Sequence, residues 1–155
     1  MREPAPRGIL ASSKEGPMTY EGLDPAQARA FAGEWLPAWS GNRPEVLVAF
    51  YTDDAFYADP GLPTGIRGRD ALLAYFTRLL ERNPRWVWTH RRSLALPDGF
   101  LNFWHASIPA GERTVEVDGV CSVQLRGDKI YANEVFFDRA PLLSAIAAAR
   151  PTKGA

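Results

Sequence analysis

Residues 57 to 60 read Tyr-Ala-Asp-Pro, a lone carboxylate at the end of an aromatic run that contains Phe50, Tyr51, Phe56 and Tyr57. A carboxylate with aromatic neighbours can sit in the wall of an apolar cavity. Desolvation there disfavours its charge and makes Asp59 a candidate proton acceptor. The same residues also suit a turn, because Asp-Pro starts turns and Pro60 drives Asp59 towards an extended conformation. Local sequence leaves both readings open. His90 is the second titratable candidate, since histidine changes charge near neutrality. Alternation from Arg85 onward puts it on one strand face with Trp86 and Trp88; the competing reading is a rim or exposed position beside Arg91. Asn102 and Asn133 are either hydrogen-bond partners in a pocket or satisfied strand residues.

The wall such groups need is suggested by composition. Five Trp, five Tyr and eight Phe are present among 155 residues. Trp35, Trp39, Trp88 and Trp104 are core residues by default. Their number points to a pocket for a flat aromatic or polycyclic ligand, with Trp35, Tyr57, Trp88 and Trp104 lining it.

Other chemistries are excluded on residue types. One Cys and two well-separated His give no metal-ligand pattern, and no glycine-rich phosphate loop is present. No cofactor is expected. Eighteen basic residues balance 18 acidic ones, so no footprint for nucleic acid or anionic membrane exists. No apolar run approaches the ~20 residues of a spanning helix. Cys121 alone cannot form an intramolecular disulfide, and the expected location is the cytoplasm. Residues 1–22 read as a flexible N-terminal arm, rich in Pro, Gly and Ser near the start and without the apolar core of a signal peptide. Residues 23–150 read as one domain.

The elements that must position these groups follow from caps and periods. Asp24-Pro25 opens a helix whose Phe31, Trp35 and Trp39 recur at steps of four, bent at Pro37. A second helix starts near Arg43-Pro44 and ends by Ala55, followed by a short strand at 56–59 and a loop at 61–65. A third helix covers 69–82 with Leu72, Leu73, Phe76, Leu79 and Leu80 inward. Then the period changes to two. Strands run from Arg85, from Phe100 to Ile108, from Thr114 to Arg126 and from Lys129 to Asp138, joined by Gly-containing turns. Pro141 to Ala149 is a closing helix. Helices followed by consecutive strands indicate an α+β fold, with helices on one face of a curved, mainly antiparallel sheet.

That order, with Phe50-Tyr51-Thr52-Asp53-Asp54-Ala55, Tyr57-Ala58-Asp59-Pro60, Gly65-Ile66-Arg67-Gly68-Arg69-Asp70-Ala71-Leu72, Asp128-Lys129-Ile130 and Phe136-Phe137-Asp138, resembles the nuclear transport factor 2-like superfamily. Within it the chain is most similar to the SnoaL-like group of polyketide cyclases, ketosteroid isomerases and epoxide hydrolases. The resemblance implies a cone-shaped barrel: three N-terminal helices on a strongly curved sheet, a short C-terminal helix, and a pocket opening at one end. It also implies a homodimer through the outer face of the sheet.

Asp59 falls where ketosteroid isomerases hold their general base. Their oxyanion-hole tyrosine and protonated aspartate line up with Trp35 and with Val120 or Cys121, which cannot donate in that way, so steroid isomerisation is disfavoured. Tyr57-Ala58-Asp59-Pro60 matches the epoxide hydrolases' Tyr-x-Asn-Pro with Asp for Asn. Their Asp-Arg-Asp set lines up near Trp104, Ala106 and Val135, so epoxide hydrolysis is disfavoured too. His90 lies where scytalone-dehydratase-type members place a histidine. The resemblance therefore implies an enzyme that cyclises, isomerises or dehydrates a hydrophobic carbonyl substrate, with Asp59 as base and His90 assisting. The alternative is a non-catalytic ligand-binding or dimerisation module of the same fold. His105 is expected to point outward, and Asp138 to cap the last helix.

Overall fold

The computed structural model describes residues 23–150; the arm expected at 1–22 lies outside the described residues. Helix α1 spans Pro25–Trp35. The Asp24 carboxylate accepts from Gln27 N at 2.8 Å, and Gln27 Oε1 accepts from Asp24 N at 2.9 Å. This reciprocal box satisfies two donors that a helix start leaves open. Ala28, Ala32 and Trp35 form the buried stripe. Pro37 has no N–H to donate, and the chain tightens into a 3₁₀ turn over Leu36–Trp39. Helix α2 is short, Pro44–Val48. Helix α3, Arg69–Arg82, buries Leu72, Phe76 and Leu80 against α2 and the sheet. Helix α4, Ala140–Ala149, closes the described chain.

Six strands form one sheet: β1 Tyr51–Asp59, β2 Leu62–Arg67, β3 Val87–Leu96, β4 Gly99–Ala110, β5 Arg113–Arg126 and β6 Lys129–Phe137. Their order is β2-β1-β6-β5-β4-β3. Every pairing is antiparallel except β1 with β6. The sheet stays open, with β2 and β3 as edges, so the expected cone is not a closed barrel. Register shifts at Tyr57/Asp59, His90/Arg92 and Gln124/Leu125 interrupt the ladders where strands bend. The α+β reading and the run of four strands after α3 hold. Among the described residues no helix is long and apolar enough to cross a membrane.

Two local expectations are corrected. No helix reaches Ala55: the chain becomes extended at Tyr51. Ile130 N donates to Phe50 O at 2.8 Å, and β1 runs alongside β6. Thr52, Asp53 and Asp54 look like a turn in sequence because they are polar. In the fold they fall where the β1–β6 register is irregular, with Asp54 held at 2.9 Å by Arg126 Nη1 from β5. The segment 61–65 is not a free loop either. It feeds β2, an edge strand that tolerates Pro63, and Gly65 takes a positive φ of 68° against the Phe56 ring.

Alternation along β4 defines the concave face. Phe100, Asn102, Trp104, Ala106 and Ile108 are all buried beneath the helices. The convex face carries His105, which bonds Asp118 Oδ1 at 2.9 Å and Glu116 Oε2 at 2.6 Å, so it points outward as expected.

Candidate active site

Asp59 closes β1. Its Oδ2 accepts from Tyr57 Oη at 2.9 Å and from Tyr75 Oη at 2.7 Å, and its Oδ1 accepts from Gly61 N at 2.6 Å. Period-two spacing brings Tyr57 beside Asp59; helix α3 supplies Tyr75 from across the cavity. The turn reading of Tyr-Ala-Asp-Pro is realised, and Asp59 also borders a cavity. The carboxylate anchors the turn with one oxygen and meets two phenols with the other.

Burial, reinforced by the Asp59 charge, pushes the Tyr57 hydroxyl well above its ordinary range. Burial and then the bond to Asp59 raise Tyr75 likewise. Both phenols therefore remain proton donors at neutral pH. Burial also pushes the Cys121 thiol up to about 12, so no thiolate nucleophile is available there.

These groups border a cavity of about 560 Å³, within the ordinary size of small-molecule sites. Every tryptophan of the chain lines it: Trp35, Trp39, Trp86, Trp88 and Trp104. Trp88 meets Trp104 edge-on at 4.7 Å, and Trp39 meets Phe76 edge-on at 5.2 Å. Trp104 depends on a close approach. It pairs with Gly119 across the β4–β5 ladder, and a Cβ at Gly119 would collide with the indole ring. Its Nε1 donates to Cys121 Sγ at 3.2 Å.

Of the residues expected at the site, Asp59, Trp35, Tyr57, Trp88 and Trp104 border the cavity. His90, Asn102 and Asn133 do not. His90 Nε2 bonds Ser93 Oγ at 2.9 Å, and burial followed by the nearby Arg29 charge lowers its pKa. It stands on edge strand β3, in register with Trp104, and is not among the residues that border the cavity. Asn102 is fully buried with neither side-chain polar atom partnered, and Asn133 donates to Tyr51 Oη at 3.0 Å. Both sit in packed core beside the cavity.

Sequence reasoning singled out none of Tyr75, Arg82, Asn83, Arg139 and Arg150, which also border the cavity. Tyr75 had a signal: it lies three residues after Leu72 and four before Leu79, on the flank of the inward stripe of α3. Arg139 had none. Its Nη1 donates to Pro60 O at 3.0 Å and so ties the start of α4 to the turn after Asp59. Asp138 Oδ1 accepts from Ala140 N at 2.9 Å, in keeping with its expected capping role.

A cone of helices on an open curved sheet, with a carboxylate in the wall of an aromatic cavity, describes a known class. The SnoaL-like domain model matches residues 32–133, and the chain belongs to that family. Solved structures agree in fold. A candidate SnoaL-like polyketide cyclase from Jannaschia sp. CCS1 superposes with a TM-score of 0.66 at 15% identity, covering 84% of this chain and 99% of that one. A protein of ketosteroid isomerase-like fold from Catenulispora acidiphila, in complex with trimethylamine, has a TM-score of 0.66 at 17% identity, covering 76% and 92%. TerC co-crystallised with polyporic acid gives 0.65 at 16% identity, covering 77% and 96%. No curated protein matches the sequence significantly.

Proposed function

We propose that the protein is a cofactor-independent enzyme that moves protons on a hydrophobic carbonyl compound, with Asp59 as the base. The observation that carries this reading is the Asp59 carboxylate at the wall of an aromatic cavity, with its Oδ2 held by two phenols. A C–H bond next to the substrate carbonyl breaks and its proton passes to Asp59. The electron pair moves onto the carbonyl oxygen, giving an enolate. A neutral Asp59 is a weaker acceptor, so the half-buried Tyr75 hydroxyl is released to donate to that oxygen. Return of the proton to a different carbon is isomerisation; attack of the enolate on a second carbonyl is cyclisation. A SnoaL-like polyketide cyclase neighbour is consistent with either. The oxyanion donor absent at Trp35 and Cys121 is thereby supplied from α3. His90 has no part in this reading.

The test is deuterium exchange at the acidic carbon of 2-tetralone in D₂O, followed by NMR. The protein should accelerate exchange, and Asp59→Asn should lower the rate at least about 100-fold. Occupancy is read separately from tryptophan fluorescence, since all five indoles border the cavity. Binding without accelerated exchange would favour the second reading, a ligand-binding module. That reading is supported by the three hydrogen bonds that already satisfy the Asp59 carboxylate.

The homodimer belongs to the same proposal. Phe103, Val120 and Phe136 align across the convex face, and Phe136 is exposed. Native mass spectrometry of the wild type and of Phe136→Lys should give a dimer and a monomer; a monomeric wild type would exclude it.

A further inference from the structure

The charges at the cavity do not balance. The chain as a whole carries equal numbers of acidic and basic residues. The cavity, in contrast, is bordered by three guanidiniums, Arg82, Arg139 and Arg150, and by one carboxylate, Asp59. Arg82 comes from the end of α3, Arg139 from the start of α4 and Arg150 from its end, so the two helices bring cationic residues to one cavity. Among the described residues none of the three forms an ion pair. Arg139 lies beside Asp59: a Cβ built on Gly61 would stand 3.1 Å from Asp59 Oδ1 and 3.7 Å from Arg139 Cζ. Its nearer ring of contacts is a backbone carbonyl, that of Pro60.

Asp59, the one carboxylate among the lining residues, already accepts three hydrogen bonds. The site is therefore richer in cations than in free anionic acceptors, and a well-matched ligand must bring negative charge.

We infer that the substrate is an acidic aromatic compound: a planar body of two or more rings among the tryptophans, bearing a carboxylate or an ionised enol that the Arg82, Arg139 and Arg150 guanidiniums engage. Guanidinium suits this task because its planar fork bonds a carboxylate with two parallel N–H groups. The inference rests on the reading of the cavity as a substrate site and adds the charge of what enters it. An aromatic cavity can also hold an ammonium cation over its ring faces; the three guanidiniums oppose that occupant.

Calorimetric titration with 2-naphthoate, neutral 2-naphthamide and (2-naphthylmethyl)trimethylammonium separates these cases. The acid should bind at least about tenfold tighter than the amide. The advantage should shrink as sodium chloride rises from about 50 mM to about 500 mM, because mobile ions screen the exposed charges. The double variant Arg82→Gln/Arg150→Gln, at exposed positions that do not hold the fold, should lose the acid preference and keep amide binding. Equal affinity for acid and amide, or tighter binding of the ammonium compound, would overturn the inference. Asp59→Asn separates it from the catalytic reading: that variant should lose 2-tetralone exchange yet bind 2-naphthoate at least as tightly as the wild type. Acid preference without exchange would refute the catalytic reading alone, and exchange without acid preference would refute this one alone.

Discussion

Two parts of the concave face carry similar residues and have opposite fates. Around Trp88, Trp104 and Asp59 the inner face borders open space. Around Phe100, Asn102 and Asn133 it is fully covered. Helix α1 makes the difference, since Phe31 packs edge-on against Phe100 at 5.6 Å and Trp35 follows at 6.5 Å. Trp104 and Asn102 are two residues apart on the same strand and the same face, yet only the first reaches the cavity. Facing inward is a property of strand period. Facing a cavity depends on which helix lies above.

The largest test of this contrast is large-to-small substitution. Phe100→Ala should destabilise by about 3–5 kcal/mol, because the covered region leaves a void in packed surroundings. Trp88→Ala should cost clearly less in the same urea titration, because part of its surface already meets open space. Equal losses would remove the distinction.

Asn102 probes the covered region from the other side. Both its polar atoms are unpartnered and buried, so Asn102→Leu should raise stability by about 1–2 kcal/mol. A loss on urea denaturation would mean that Asn102 has a partner, such as an internal water.

Tyr75→Phe examines the open region. It removes one donor from Asp59 and should cost about 1 kcal/mol, with deuterium exchange slowed about tenfold at unchanged tryptophan quenching by 2-tetralone. Unchanged exchange would exclude Tyr75 as the oxyanion donor.

The smallest effect belongs to the convex face. Bonds from Asp118 and Glu116 raise the His105 pKa above its ordinary 6.5, and bonds from Ser107 and His105 lower Glu116 below its ordinary 4.5. A raised group stabilises the fold at pH below its ordinary value, and that contribution is lost as pH rises through the folded value. A lowered carboxyl stabilises above its ordinary value and loses this as pH falls. The melting-temperature gap between wild type and His105→Gln should therefore be widest between about pH 4.5 and 6.5 and close as pH rises further. A constant gap would exclude the ion pairs as its source. The cavity-bound 2-tetralone signal should not change.

Much of the fold was legible in particular residues. Asp24-Pro25 wrote the first cap, the leucine stripe of 69–82 wrote α3, and turn glycines separated four alternating strands. The beginning of β1 was not legible, because Thr52-Asp53-Asp54 becomes a strand only when β6 lies alongside, about 80 residues later in the chain. At the site, Asp59 and its aromatic neighbours stood out locally. Spacing marked Tyr75 only as a flank residue of α3 and gave no sign of its bond to Asp59, 16 residues away; Arg139 had no signal, because a hydrogen bond across 79 residues leaves no spacing to read. Alternation left His90 between an inner-face and a rim reading; in the fold it bonds Ser93 and does not border the cavity.

By itself, then, the sequence determined where α1 and α3 lie, that four alternating strands follow, and that a carboxylate ends an aromatic strand. Those follow from short-range geometry, the 3.6 and 2.0 residue periods and the chemistry of caps. Only the tertiary structure decided that Asp59 meets two phenols, and that all five tryptophans and three arginines border one space. Each of those results from the docking of α1, α3 and α4 on the sheet, which depends on long-range packing and not on any local pattern.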